Sequence, residues 1–280
     1  MIRSALLGAA LCASAAAARA QTAVDPPRVE VGVDVERLRV LYHFTNPSSF
    51  DTAALVPHFF EQRYEIENAW AAAGACYTAV IPWQTSGGVT VPHDGRADDF
   101  DTFFNPGGSI VVSGTTGDAR IQSIRLAQLG QIARAGGARI SAGYRVRIDR
   151  AEFGIGHKTV ARDGALVSAA DVDTRERTTA QLHEFVAAVA IASGASHRWR
   201  LAIDGDASPI AVARLNVELP DKYPGQGLAF VARGFAAHAR LRVIRGPFEA
   251  SVDGARVWSY GSANTIDRRQ LAVGVGFIVR

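Results

Sequence analysis

Several short segments of the chain alternate large apolar side chains with small or charged ones at a period of two. A β-strand with two different faces requires that period. In Leu271 to Val279 the odd positions Leu271, Val273, Val275, Phe277 and Val279 are large and apolar, and the even positions Ala272, Gly274, Gly276 and Ile278 are mostly tiny. Trp199, Leu201 and Ile203 alternate with Arg198, Arg200 and Ala202, and Ala142, Tyr144, Val146 and Ile148 with Gly143, Arg145, Arg147 and Asp149. The same rhythm sets Ala237, Ala239, Leu241 and Val243 against His238, Arg240, Arg242 and Ile244, and Leu38, Val40, Tyr42 and Phe44 against Arg37, Arg39, Leu41 and His43. Further strands are expected within residues 69–80, 119–132, 182–192, 228–235 and 248–260.

One such segment would suit any half-buried strand. The repetition says more, because arginine returns on one face of strand after strand, opposite an aliphatic or aromatic face. A soluble sandwich buries its apolar faces against each other and leaves its arginines outside. A membrane barrel reverses this: apolar faces meet lipid and charged faces line the interior. Closure also pairs every strand edge, which lipid demands.

The pattern therefore predicts an all-β fold, a closed antiparallel transmembrane barrel of 8–12 strands. Eight crossings follow residue 69, and strands at 29–45 and near 210–217 make ten the preferred count. Tight turns are expected at Ala135-Gly136-Gly137, Gly194-Ala195-Ser196, Arg245-Gly246-Pro247 and Asn46-Pro47-Ser48-Ser49. Longer connections are expected over 82–118, 154–180, 205–227 and 261–267, giving short periplasmic turns and long outer loops. Trp70, Tyr77, Trp83, Trp258 and Tyr260 fall near segment ends, where an aromatic girdle would sit.

The start of the chain points to export. Arg3 supplies a positive n-region, residues 5–18 form an Ala/Leu-rich run, and Ala18-Arg19-Ala20 is a small-x-small cleavage site. That run is shorter than the ~20 apolar residues of a spanning helix. The expected organisation is a signal peptide over 1–20 and one barrel domain over 21–280, in which 21–57 is a periplasmic or first-strand segment. Cys12 follows Leu11, where a lipoprotein site wants a small residue, so Cys76 is the cysteine of the mature chain and no internal disulfide is expected. Removing Arg3 and Arg19 takes the net charge from +3 to +1, too little basic excess for a nucleic-acid partner.

At its C-terminus the chain resembles bacterial outer-membrane β-barrel proteins, through Leu271, Val273, Val275 and the late aromatic Phe277. It departs from them in continuing to Ile278-Val279-Arg280. The resemblance implies a place in the cell outer membrane after Sec-type export. It implies as partners outer-membrane lipid, lipopolysaccharide and the assembly machinery that reads the last strand. The segments from His58 to Tyr64 and from Leu219 to Gly225 look like family signatures without an attached function.

For chemistry, Arg37, Arg39, Arg145, Arg147, Arg198, Arg200, Arg240 and Arg242, with His238, are expected to line the interior. Glu65, Glu67, Asp149 and Glu184 are available as ion-pair partners. Two readings follow. Either ion pairs fill a small barrel, or a narrow basic pore concentrates small anionic solutes. Asp98, Asp99 and Asp101 are oxygen ligands that suit Ca²⁺, though not at EF-hand spacing. Asp99 and Asp101 are also candidate catalytic residues of an omptin-like hydrolase, with Asp204 and Asp206 as a second acidic pair. No histidine follows Asp206 closely, and the seven histidines lack metal-ligand spacing. His183 and Glu184 are expected on opposite strand faces. No Gly-x-Ser-x-Gly elbow is present, Arg139 standing where Arg139-Ile140-Ser141-Ala142-Gly143 would need its first glycine. Gly274-Val275-Gly276 is not a dinucleotide site, and no cofactor is expected.

Overall fold

The computed structural model describes residues 27–45, 59–104, 108–193, 199–218, 227–261 and 263–279. The signal peptide and its cleavage site, the turns at 46–49 and 194–196, Arg198 and residues 219–225 lie outside them. Eleven strands run in chain order: β1 (Arg28–Thr45), β2 (Phe59–Thr78), β3 (Pro82–Pro92), β4 (Gly95–Phe104), β5 (Ile110–Ala135), β6 (Ala138–Arg162), β7 (Ala165–Ala192), β8 (Arg200–Glu218), β9 (Gly227–Arg245), β10 (Phe248–Ser259) and β11 (Thr265–Val279). β3 and β4 both pair with β2 and with β5, so they form one interrupted crossing. β1 pairs with β11 from Val29↔Val279 to His43↔Thr265, which closes a ring of ten antiparallel crossings.

Both described chain ends lie at one end of this barrel, together with the tight turns at Gly136 and Gly246. Those two glycines have φ of 56° and 58°, a left-handed conformation that turn glycines adopt without a Cβ clash. This is the terminal end; the opposite one is the distal end.

The long connections expected between the strands are mostly strand. Residues 82–118, 154–180 and 205–227 contribute β3, β4 and the outer halves of β5 to β8. The reason lies in length. A strand of nine residues, such as Leu271–Val279, rises about 23 Å at ~3.3 Å per residue and ~40° tilt, enough to cross a hydrocarbon layer. β5, β6 and β7 have 26, 25 and 28 residues, roughly three times that, so the barrel wall continues well past the apolar layer.

The outer surface records the boundary. On β1 the outward side chains are Val29, Val31, Val33 and Val35, then Arg37 and Arg39. On β11 the outward Val273 and Val275 are 59% and 60% exposed, and Arg269 lies outward beyond them. The other strands change alike: Ala69 to Glu67 on β2, Ile124 to Gln122 on β5, Ile148 to Arg150 on β6, Phe235 to Arg233 on β9. The terminal half thus carries an apolar belt, and the distal half a mainly polar outer surface broken by exposed side chains such as Phe100, Leu166 and Val231.

The interior changes in the opposite sense at the same level. In the distal half Leu38, Val40, Tyr42, Phe44, Phe60, Tyr64, Ile66, Phe153, Leu215 and Phe230 form a buried core inside the barrel. Phe44 stacks on Phe230 at 4.3 Å between ring centroids and lies 5.4 Å from Phe60. Arg37 and Arg39 are therefore outside the barrel, not within it as the alternation suggested. Leu38 and Val40 face inward because the segment lies beyond the belt, where water, not lipid, covers the wall. Glu65 and Glu67 are outward for the same reason, and Glu65 meets Arg39 on the surface at 3.1 Å. Trp70 is likewise no girdle residue: it is 1% exposed, inside the barrel.

Candidate functional site

The terminal half of the lumen is built from the charged faces of strands whose other faces form the belt. At its centre Arg147, 6% exposed, donates through Nε to Asp149 at 2.6 Å and through Nη2 to Glu36 at 3.2 Å and Ser123 at 3.1 Å. Its Nη1 reaches Gln270 at 3.1 Å. The Trp70 indole donates to Glu36 at 2.7 Å and takes the guanidinium groups of Arg125 and Arg147 over its ring at 4.5 and 4.8 Å. Arg125 pairs with Asp34 at 3.2 Å, and Arg268 lies 3.6 Å from Asp149. β1, β5, β6 and β11 each give one or two of these charges, β2 gives the indole, and the closed ring brings them together.

Nearer the terminal end a second group forms. Arg145 bridges Glu184 at 3.0 Å and Asp206 at 2.6 Å. His238 sits between Asp206 at 3.1 Å and Asp253 at 2.7 Å, so both ring nitrogens face carboxylates. Arg242 meets Asp204 at 2.6 Å and Glu249 at 3.3 Å, and Arg240 meets Glu249 and Ser251, each at 3.1 Å. A cavity of about 260 Å³ lies among these groups. On β11 the inward positions are small to make room: a Cβ at Gly274 would collide with the Asp34 carboxylate.

Of the residues expected inside, Arg145, Arg147, Arg200, His238, Arg240 and Arg242 are on the inner face, as are Asp149 and Glu184. His183 points outward, opposite Glu184, and its Nδ1 meets the Tyr144 hydroxyl. Arg125, Arg268, Asp34, Glu36, Glu249, Asp253 and Trp70 are partners that the alternation left unnamed. A signal for them exists. In β1 the apolar positions are odd from Val29 to Val35 and even from Leu38 to Phe44. That change of phase inside one strand marks the belt boundary, and below it the even residues Asp34 and Glu36 must face inward.

The acidic candidates are divided. Asp99 and Asp101 are inward on β4, and Asp99 is 3% exposed, whereas Asp98 points outward, so the three cannot enclose one calcium ion. They also lie on a strand, in register with Gln62, Thr115, Phe60 and Ser113, and not in a loop. Asp204 and Asp206 are held by Arg242, Arg145 and His238 in the terminal half, so the two acidic pairs do not meet. Asp99 has different company. Gln62 donates to Glu176; the Tyr64 hydroxyl lies 3.3 Å from Gln62 and 3.4 Å from Thr178; and Glu176 and Asp99 are both within electrostatic reach of that hydroxyl. No described histidine faces this distal interior: His43 and His157 are on the outside, and His238 is below. Between β3 and β4, Asp94 accepts from Arg120 at 2.5 Å, and this hydrogen bond and positive charge hold its carboxyl below the usual range.

The fold is similar to that of the outer membrane protease OmpT from Escherichia coli, with a TM-score of 0.63 at 9% identity over 91% of this chain and 97% of that one. The translocator domain of the autotransporter NalP from Neisseria meningitidis aligns over 98% of this chain and 95% of that one at 11% identity, with a TM-score of 0.31, too low to carry a shared topology. No family model matches the sequence, and no curated protein does. The likeness is one of fold, that of an outer-membrane β-barrel.

Proposed function

We propose that the protein is an outer-membrane barrel that stays closed, a structural membrane protein whose lumen is an ion-paired plug. The observation that carries this reading is Arg147. Its guanidinium is held by Glu36, Asp149, Gln270 and Ser123 against Trp70, and directly beyond it the distal lumen is filled by Leu38, Tyr42, Phe44, Tyr64 and Phe230. Charges neutralised in pairs focus little net field, so the basic-pore alternative loses its attraction for anions. The terminal end, with its short turns, faces the periplasm, and the distal half stands above the bilayer.

Planar-bilayer recording of the refolded full chain tests this: no discrete conductance steps are expected. Anion-preferring steps in the wild type would overturn the closed reading in favour of a narrow basic channel. Export belongs to the same proposal. Sequencing the N-terminus of the outer-membrane form is expected to start at Gln21, and a start at Met1 would refute cleavage.

A second reading, a hydrolase acting at the distal rim, draws on the inward carboxylates of Asp99 and Glu176 and on the fold shared with a protease. Asp99→Asn is then expected to abolish hydrolysis of lipid or peptide; no wild-type activity on such substrates would end this reading.

A further inference from the structure

The outer surface just beyond the apolar belt carries arginines all round the barrel, but they are not equivalent. On the arc formed by β10, β11, β1 and β2 several are neutralised in place. Arg256 and Arg269 both donate to Asp267, at 3.1 and 2.7 Å, Arg39 meets Glu65 at 3.1 Å, and Arg63 meets Glu61 at 2.7 Å. On the arc that adjoins it at β9 and continues to β6, Arg150, Arg214 and Arg233 are exposed, and among the described residues no carboxylate pairs with them. The acids nearest to them along these strands are engaged further out: Glu152 by Arg177 at 3.3 Å, and Glu218 by the Asn216 amide at 2.9 Å.

The three arginines form one row. Arg150 is in register with Gln122 on one side and Thr179 on the other, Gln181 with Arg214, and Val212 with Arg233. The row crosses three interstrand steps of ~4.8 Å and drifts four residues along the strands at ~3.3 Å each, so it spans about 19 Å. Directly beneath it lie Ile148, Val212 and Phe235, the upper edge of the belt. Guanidinium forks facing water, with amide and hydroxyl donors between them and a hydrocarbon-facing wall below, fit a ligand with separated phosphates above acyl chains.

We propose that this arc binds the phosphorylated sugar head group of lipopolysaccharide in the outer leaflet, with Arg150, Arg214 and Arg233 on its phosphates and its acyl chains along Ile148, Val212 and Phe235. The level on the wall and the multiple, spread cations distinguish this occupant from a single-phosphate phospholipid. The site is independent of whether the lumen conducts, so the bilayer recordings and the binding measurement below can fail separately.

The test uses native mass spectrometry of the folded full chain in neutral detergent, titrated with lipid A. At about fivefold in affinity per arginine near an anionic surface, the triple variant R150Q/R214Q/R233Q is expected to lose about 100-fold and R214Q alone about fivefold. The control R256Q/R269Q, in the self-neutralised arc, is expected to change less than twofold, and lipid A stripped of its phosphates to bind the wild type as weakly as intact lipid A binds the triple variant. An unchanged triple variant would overturn the proposal, as would equal loss in the control or phosphatidylglycerol binding as tightly as lipid A. All variants are compared only in the heat-modifiable, folded gel band, and R214Q carries the test if the triple variant fails to fold.

Discussion

The two halves of this barrel obey opposite rules of placement. In the terminal half valines and leucines face out and arginines face in; in the distal half Arg37, Arg39, Arg150 and Arg177 face out, and Leu38, Phe44 and Phe153 face in. The pleat does not change between them, since β1 runs unbroken from Arg28 to Thr45. What changes is the medium outside. Against lipid an apolar surface is satisfied and charges must find each other in the lumen; against water the ordinary preference for an apolar interior returns. The barrel is an inside-out protein fused, strand by strand, to a conventional one.

The sharpest way to break this comparison is to remove one central side chain from each half. Phe44→Ala is expected to cost about 3–5 kcal/mol through the cavity left among Phe60 and Phe230. Arg147→Ala is expected to cost a similar ~3–5 kcal/mol for a different reason, because Glu36 and Asp149 keep their charge and lose their partner. Urea unfolding in detergent or lipid measures both. The charge argument predicts further that E36L/R147M is less costly than Arg147→Ala alone, whereas if both halves were held by packing alone the double variant would cost more.

A smaller effect tests the outer surfaces. Val273→Arg, in the belt, is expected to destabilise by about 2–4 kcal/mol in a bilayer. Ala229→Arg, outward on distal β9 opposite Asn216, should stay within ~0.5 kcal/mol. Equal effects would mean that lipid does not cover the belt.

The smallest effect concerns the two arginines that lie outside. Arg39 and Glu65 are 57% and 58% exposed, so Arg39→Gln is expected to cost about 0.2–1 kcal/mol, diminishing with added salt. Arg37→Gln, with no such pair among the described residues, should be within ~0.5 kcal/mol. A loss of several kcal/mol at either would return them to a structural role in the wall.

Period-two patterning by itself determined strand, closure and antiparallel connection, because alternation is a local property of a pleated chain. Its count of ten equals that of the ring, but through different strands: 200–203 and 210–217 belong to one strand, β8, and the crossing made by β3 and β4 falls in an expected connection. It also identified Arg145, Arg147, His238, Arg240 and Arg242 as the charged face of belt strands, since a lipid-facing wall of Tyr144, Val146 and Leu241 leaves them only the lumen. What the alternation left open is which way a face points once a strand has left the lipid, and there Arg37, Arg39, Glu65 and Trp70 were assigned to the wrong side. The phase change within β1 was legible, but its meaning needs the level of each residue relative to the belt. Tertiary structure alone decided the partners, because Arg147 meets Glu36, Gln270 and Trp70 from 111, 123 and 77 positions away along the chain. No local pattern encodes such distances; only the closed ring and its register bring those charges to one point.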